Sequence, residues 1–209
     1  MHRSHRIGGE LPHAAAPAGA GRASSTTDER PSPGVAALLD GVREDRSHSV
    51  LDLGAASDSG FQLYSRFARR VRFADLIDDC TSAGTLNREE SALPAQPQDP
   101  YDLVFAWDVL DRLLPEARPQ LMRRLMEVTA PDARLHVVMD ASEDGPTRPL
   151  RFTLLDVDRM RCEPSGPPRP ERSRMLPAEL ERVLFPFRVT RAFTLRGGLR
   201  EYVAVRRPG

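Results

Sequence analysis

The sequence predicts an α/β sandwich, built on a mostly parallel sheet that an antiparallel C-terminal β-hairpin strand completes. Short β-branched, apolar segments alternate with segments of helical spacing from residue 33 onward. Such alternation is typical of parallel strands joined by right-handed crossovers. Two further apolar segments flank Gly197-Gly198, a pair that indicates a hairpin turn. The length of 209 residues allows one sizeable core, so a single folded domain is expected.

The first half of this region alternates helix and strand. Apolar residues at helical spacing after Pro33 predict a short amphipathic helix. The elements predicted next are a buried strand over 49–53, a loop over 54–60, a helix over 61–70 and a second strand over 71–74. Residues 77–100 have no clear period, and three prolines within them indicate a linker.

The second half contains the clearest elements of the chain. Tyr101–Trp107 predicts a strand, and Pro115–Thr129 predicts a helix, since proline is tolerated in a first turn. The remaining boundaries are 131–133 for a turn, 135–139 for a strand, 151–155 for a short strand, 176–184 for a helix, and 189–195 and 201–206 for the hairpin strands. His136 lies inside a buried strand, where we expect a core histidine rather than a catalytic one.

Apart from the short strand over 151–155, two stretches are not expected to add regular structure to this core. Residues 1–32 are rich in Ala, Gly, Pro, Ser and Arg, which predicts a disordered N-terminal tail before a folded domain over 33–209. Residues 141–175 predict a long irregular insert within that domain, with a proline-rich end.

Composition excludes several classes of function. The 30 basic and 30 acidic residues give a formal net charge of zero, so no nucleic-acid partner is expected. Cys80 and Cys162 lie outside any CxxC pattern, and the histidines of the tail lack the further ligands that a metal site needs. The apolar segments are too short to span a bilayer, and no apolar signal segment follows the N-terminus. We therefore expect a cytoplasmic protein with no membrane partner and no metal; its oligomeric state does not follow from the sequence.

Three features of the sequence are expected to converge at the carboxyl edge of the sheet, where ligands bind in folds of this class. The first is the loop Asp52–Gly60, whose small residues permit a ligand to approach the backbone closely. The second is Asp75, which ends the next strand at a spacing from Gly54 suited to binding a ribose hydroxyl pair. The third is Ala106–Val109, which leaves the third clear strand and should border the reacting end of the ligand.

Taken together, five segments carry a resemblance to a known family. The segments VLDLGAASDSG, RFADL, PYDLVFAWDVLDRL and ARLHVVM, followed by the Gly-Gly hairpin, resemble the class I S-adenosylmethionine (SAM)-dependent methyltransferases, most of all bacterial members of unassigned substrate. The resemblance covers about residues 33–207 and implies a Rossmann-like sandwich with SAM as cofactor. The antiparallel hairpin separates it from nicotinamide-binding Rossmann domains, whose sheet typically stays parallel.

The resemblance also implies which residues contact the cofactor. Asp52, Gly54, Ala55 and Ser57 would line its amino acid and sulfonium end. Asp75 would bind the ribose.

The remaining implied site residues follow two strands of the sheet. Leu76 would pack near the adenine, and Trp107, Asp108 and Val109 would lie beside the transferred methyl group. Asp108 is the expected catalytic residue, positioning or deprotonating the acceptor. A helix cap or a structural hydrogen bond is an equally open role for this carboxylate.

The chain departs from the family pattern at several positions. The family loop has the form GxGxG, whereas this loop keeps Gly54 and has Ala56 and Asp58 at the later glycine positions. A carboxylate at residue 58 would repel the carboxylate of the methionine part unless it points outward or caps the next helix. Pro131-Asp132-Ala133 replaces a Pro-Gly-Gly turn, and residues 82–98 offer no match to the third strand and its acidic residue.

Two functions follow as hypotheses. The leading one is a SAM-dependent methyltransferase acting on a small-molecule acceptor, which residues 141–175 would cover, with Arg148, Arg151 and Tyr64 as possible contacts. The alternative is a non-catalytic, methyltransferase-like binding or scaffold protein whose SAM loop is degenerate. A nicotinamide oxidoreductase is a third hypothesis, which the C-terminal hairpin disfavours.

Overall fold

The computed structural model describes residues 28–76, 93, 99–141, 149–165 and 175–207. The strands of this part are β1 Asp28–Pro31, β2 His48–Asp52, β3 Ala68–Phe73, β4 Tyr101–Phe105, β5 Thr129–Asp140, β6 Leu150–Asp156, β7 Arg159–Pro164, β8 Phe187–Thr194 and β9 Leu199–Arg206. Its helices are α1 Pro33–Leu39, α2 Asp58–Tyr64, α3 Val109–Arg112, α4 Arg118–Val128 and α5 Pro177–Leu184.

Six strands form the main sheet in the order β3-β2-β4-β5-β9-β8. Strands β3, β2, β4 and β5 are parallel, and β9 pairs antiparallel with both β5 and β8. Gly197 and Gly198 form the β8–β9 turn with φ of 80° and 83°, angles that favour glycine. The predicted α/β sandwich with an antiparallel C-terminal hairpin strand is confirmed.

The carboxyl ends of three neighbouring strands, β3, β2 and β4, lie together at one edge of this sheet. Asp52 of β2 pairs with Phe73 of β3 and with Phe105 of β4, so the three strands end at the same level. This arrangement brings the loop after β2, Asp75 and the residues after β4 to one place, as the sequence predicts.

Strands β1, β7 and β6 form a second, antiparallel sheet of three strands. Strand β1 lies inside the segment predicted as a disordered tail, and β7 lies inside the predicted irregular insert, so both predictions are wrong for these residues, whereas β6 matches the short strand predicted over 151–155. The cause is non-local pairing: Asp28 pairs with Cys162, and the Arg161 guanidinium lies 2.6 Å from Glu29. The residue types within a segment give no information on whether it pairs with a segment so distant in the chain.

Some boundaries also differ from the sequence prediction. The predicted helix 61–70 begins at Asp58 and ends at Tyr64, and Ala68–Arg70 belongs to β3 because it pairs with β2. The predicted turn at 131–133 lies within β5, where Asp132 has φ of 63°. Residues 1–27, Cys80, residues 82–92 and 94–98, and Arg148 lie outside the described residues.

The core of the described part is one connected cluster of buried apolar side chains between the main sheet, its helices and the second sheet. Among the described residues, no helix is long and apolar enough to cross a membrane. Within the same ranges, no group of three or more His, Cys, Asp or Glu side chains is placed to hold a metal ion.

Candidate active site

Asp52, the last residue of β2, is the centre of the polar contacts at the carboxyl edge. Its Oδ1 accepts hydrogen bonds from the Gly54 backbone N–H at 2.8 Å and from Trp107 Nε1 at 2.6 Å. Its Oδ2 accepts one from the Tyr64 hydroxyl at 2.6 Å. Burial raises the pKa of Asp52 to about 6, although the three donors oppose this rise. The carboxylate thus joins the loop after β2, helix α2 and the end of β4.

Gly54 is required by the close approach of an aromatic ring. A Cβ built at this position would lie 3.0 Å from both Cδ1 and Nε1 of Trp107 and 3.1 Å from Asp52 Oδ1. The indole therefore lies directly against the loop at the point where the family resemblance places the amino acid end of the cofactor.

Trp107 is 1% exposed and has φ of 47°, the left-handed region that a bulky residue rarely adopts. Its ring stacks on that of Phe152 with centroids 5.4 Å apart and planes within 4°. It also stacks with Phe105 at 5.7 Å and meets the edge of His136 at 5.5 Å. Such backbone strain costs about 1–3 kcal/mol and persists where the surroundings impose it, often at functional sites.

The start of α2 determines where Asp58 lies. Ser57 caps this helix, since its Oγ accepts a hydrogen bond from the Gly60 N–H at 3.2 Å. Asp58 is the first helical residue and is exposed, while Ala55 is half-buried. An acidic residue in the first turn stabilises a helix, so this departure from the family glycine has a local structural role.

Asp75 and Leu76 leave β3 beside the loop. The Asp75 N–H donates to the Gly54 carbonyl at 3.2 Å, and the Leu76 N–H donates to the Leu53 carbonyl at 3.0 Å. Asp75 is half-buried with φ of 46°, a conformation that aspartate tolerates better than most residues. Leu76 is fully buried in the core. The loop and the end of β3 are therefore joined through their backbones.

Asp108 is 9% exposed and bound to a residue that the sequence analysis did not single out, Arg112. Arg112 Nε donates to Asp108 Oδ1 at 2.8 Å, and its Nη2 donates to the Leu150 carbonyl of β6. Burial raises the pKa of Asp108, and the Arg112 charge opposes the rise. The pair links the end of β4 to the second sheet, and the i, i+4 spacing was its only sequence signal. Val109 beside it is fully buried.

The two described residues among the expected acceptor contacts, Tyr64 and Arg151, lie in different surroundings. Tyr64 is buried and bound to Asp52, whereas the Arg151 side chain is exposed. Its neighbour Phe152 contacts Trp107 instead. The sequence predicts a short strand over 151–155, but nothing local in it indicates this contact with a residue 45 positions earlier.

A second buried polar cluster lies beneath Trp107, around Glu201 of β9. Its Oε1 accepts hydrogen bonds from the Ser32 hydroxyl and, at 3.1 Å, from His136 Nε2, and its Oε2 accepts from the Gly34 N–H at 2.8 Å. Burial acts to raise the pKa of Glu201, but these donors and the His136 charge outweigh it and lower the pKa below its usual value. His136 is fully buried, as expected of a core histidine, and its Nδ1 has no hydrogen-bond partner among the described residues.

No family model and no curated protein matches the chain. Among solved structures it is similar to the 1,6-didemethyltoxoflavin N1-methyltransferase of Burkholderia thailandensis, with bound 1,6-didemethyltoxoflavin and S-adenosylhomocysteine, at 17% identity over 84% of this chain and 77% of that one (TM-score 0.47). It is similar to a SAM-dependent methyltransferase of Mesorhizobium loti at 14% identity over 83% and 96% (TM-score 0.48). A SAM-dependent methyltransferase of Aquifex aeolicus is 18% identical over 82% and 88% (TM-score 0.48).

Proposed function

We propose that the chain is a SAM-dependent methyltransferase that transfers a methyl group to a small-molecule acceptor. The observation that carries the proposal is the junction of the three segments expected to form the cofactor site. Asp52 accepts hydrogen bonds from both Gly54 and Trp107, and the Gly54 carbonyl accepts one from Asp75. In folds of this class a ligand binds where these strand ends meet.

Part of the site fits SAM as it stands. Asp75 offers a half-buried carboxylate for the ribose hydroxyls, beside a loop whose Ala55 and Ser57 remain partly accessible. Backbone bonding to Gly54 fixes the position of Asp75 relative to this loop. These residues would hold the ribose and the near part of the amino acid chain.

The chemistry asks little of the protein beyond binding and alignment. SAM supplies an activated methyl group on a sulfonium, so proximity and orientation supply most of the rate enhancement. Trp107, which is 1% exposed, would exclude water from the reacting end. Asp108 would position the acceptor or take its proton, and burial favours this role because it raises the pKa of the carboxyl. Arg112 would fix the orientation of that carboxylate.

One observation favours a second function, a non-catalytic binding or scaffold protein. The indole of Trp107 lies against Gly54, and Phe152 covers the indole. Asp52 already accepts three hydrogen bonds from the chain itself. In this alternative, the aromatic pair has permanently replaced the amino acid end of the cofactor.

Isothermal titration with SAM and with its demethylated product S-adenosylhomocysteine distinguishes the two functions. The methyltransferase binds both ligands, and Asp75→Ala weakens binding by about 1–3 kcal/mol, the cost of losing a hydrogen bond to a charged group. Glu181→Ala is the matched control, because it removes an exposed carboxylate from α5, far along the chain from the loop. If neither ligand binds at millimolar concentration to the folded protein, the second function stands. If Asp75→Ala binds as well as the wild type, Asp75 does not belong to the site.

A further inference from the structure

We propose that the methyl acceptor is a planar aromatic molecule, which stacks on the indole of Trp107 in the position that the ring of Phe152 holds. The proposal rests on the proposed function and names the substrate class of the same site. Three observations carry it. Contacts within the main sheet hold the indole of Trp107, the ring of Phe152 that covers it belongs to the second sheet, and the side chains around the indole are aromatic.

The indole keeps its orientation without help from Phe152. Its Nε1 donates to Asp52 at 2.6 Å, and its ring stacks with Phe105 of the strand that it follows. Residue 107 has a left-handed backbone with φ of 47°, and its side chain lies against Gly54. The main sheet alone therefore fixes an aromatic surface at the carboxyl edge, beside Asp108.

The ring that covers this surface comes from the other sheet. Phe152 lies in β6, which pairs with β7 and not with a strand of the main sheet. Its plane is within 4° of the indole plane, at a centroid distance of 5.4 Å, an offset-stacked geometry. A planar ring parallel to the indole is thus the shape that this position already accommodates.

The neighbouring side chains favour an aromatic ligand over an aliphatic or charged one. Phe105, His136 and Tyr64 form a continuous set of ring contacts with Trp107. The nearest carboxylates are already bound, Asp52 by Trp107 and Tyr64, and Asp108 by Arg112. Recognition would come from ring stacking, with the heteroatom to be methylated at the rim of the ring next to Asp108.

The unique tryptophan makes a direct test possible. Trp107 is the only tryptophan of the chain, so the indole fluorescence of the full-length protein reports this site alone. Quinoline and quinoxaline serve as planar probes, and decahydroquinoline, which has a puckered ring system, is the control ligand. The variants are Phe152→Leu, which keeps most of the volume but removes the ring, Phe152→Ala as a second version, and Phe185→Leu, which alters an exposed phenylalanine elsewhere.

We expect both planar probes to change the Trp107 emission saturably and decahydroquinoline to leave it unchanged. In Phe152→Leu the planar probes should bind about two- to ten-fold more tightly, because they no longer compete with a stacked ring. Phe185→Leu should bind them as the wild type does. Absence of any planar-probe effect in wild type and in folded Phe152→Leu or Phe152→Ala overturns the inference, as does equal binding of the puckered control.

Calorimetric titration of the same preparations with SAM separates this inference from the proposed function. Binding of SAM without binding of the planar probes overturns the aromatic acceptor and leaves the methyltransferase. Binding of the probes without binding of SAM overturns methyl transfer, and with it the assignment of the ring site as an acceptor site.

Discussion

Replacing Glu201 by leucine should destabilise the fold more than any other single change in the second polar cluster. The substitution leaves the Gly34 N–H, the Ser32 hydroxyl and His136 Nε2 without their acceptor in a fully buried place. Each such group costs about 1–3 kcal/mol when left unsatisfied, and relaxation of the surroundings recovers part of the sum. We therefore expect the free energy of unfolding to fall by about 3–5 kcal/mol.

Urea unfolding followed by Trp107 fluorescence at neutral pH measures this loss, because the indole contacts His136 within the same core. Glu201→Gln should cost about 1–3 kcal/mol, since its amide oxygen still accepts from some of the donors. Glu181→Leu, an exposed site on α5, should change stability by less than about 0.5 kcal/mol. The double variant His136→Leu/Glu201→Leu should lose less than the sum of the two single variants, because it removes both members of the pair.

The pH dependence has a definite sign. The pKa of Glu201 is lowered below its ordinary value of 4.5 in the folded state. Its stabilising contribution is therefore complete above that value and is lost as the pH falls through the folded-state pKa. The reasoning is refuted if Glu201→Leu loses less than about 1 kcal/mol, or if its deficit relative to the wild type does not shrink in acid.

Three further predictions concern the candidate site. Asp52→Asn should leave the free energy of unfolding unchanged or raise it by up to about 3 kcal/mol above pH 6. The reason is that burial raises the pKa of Asp52 from 3.8 to about 6, so its charged form disfavours folding. Urea unfolding above pH 6 measures the effect, and a large loss of stability at pH 7.5 contradicts it. Gly54→Ala should cost about 1–3 kcal/mol, since its Cβ would lie 3.0 Å from the indole. The same substitution should cost less when Trp107→Phe is the reference protein, and an equal cost in both backgrounds by urea unfolding places the strain elsewhere. Asp58→Gly should change the dissociation constant of SAM by less than about three-fold, because solvent screens an exposed carboxylate, and a large change in calorimetry would mean that Asp58 contacts the ligand.

The main sheet could be predicted from the sequence because its signals are local. The apolar run at 101–105, the Gly197-Gly198 turn and the helical spacing after Pro33 each lie within a few residues of the element that they specify. The meeting of Gly54, Asp75 and Trp107 then follows from parallel topology alone. The roles assigned to these residues in cofactor binding and catalysis remain predictions.

What the sequence could not predict depends on contacts between distant segments. Strand β1 exists because β7 offers it a pairing edge, and Glu201 is tolerated in an apolar strand because Ser32 and His136 surround it. The Trp107 ring is oriented by its hydrogen bond to Asp52 and covered by Phe152, and neither of these residues is near it in sequence. Composition and periodicity carry no information on such pairings.

The Ser32–Glu201 contact has a consequence for the order in which the protein is assembled. Its two residues are 169 positions apart, and Ser32 leads directly from β1 of the second sheet into α1 on the main sheet. During synthesis, β1 and α1 leave the ribosome long before β9, the strand that supplies their acceptor. Until β9 has been made, the Ser32 hydroxyl and the Gly34 N–H therefore remain hydrogen-bonded to water. Joining of the two sheets at this point therefore has to follow the synthesis of β9, so it is a late step relative to the formation of the segment that contains Ser32.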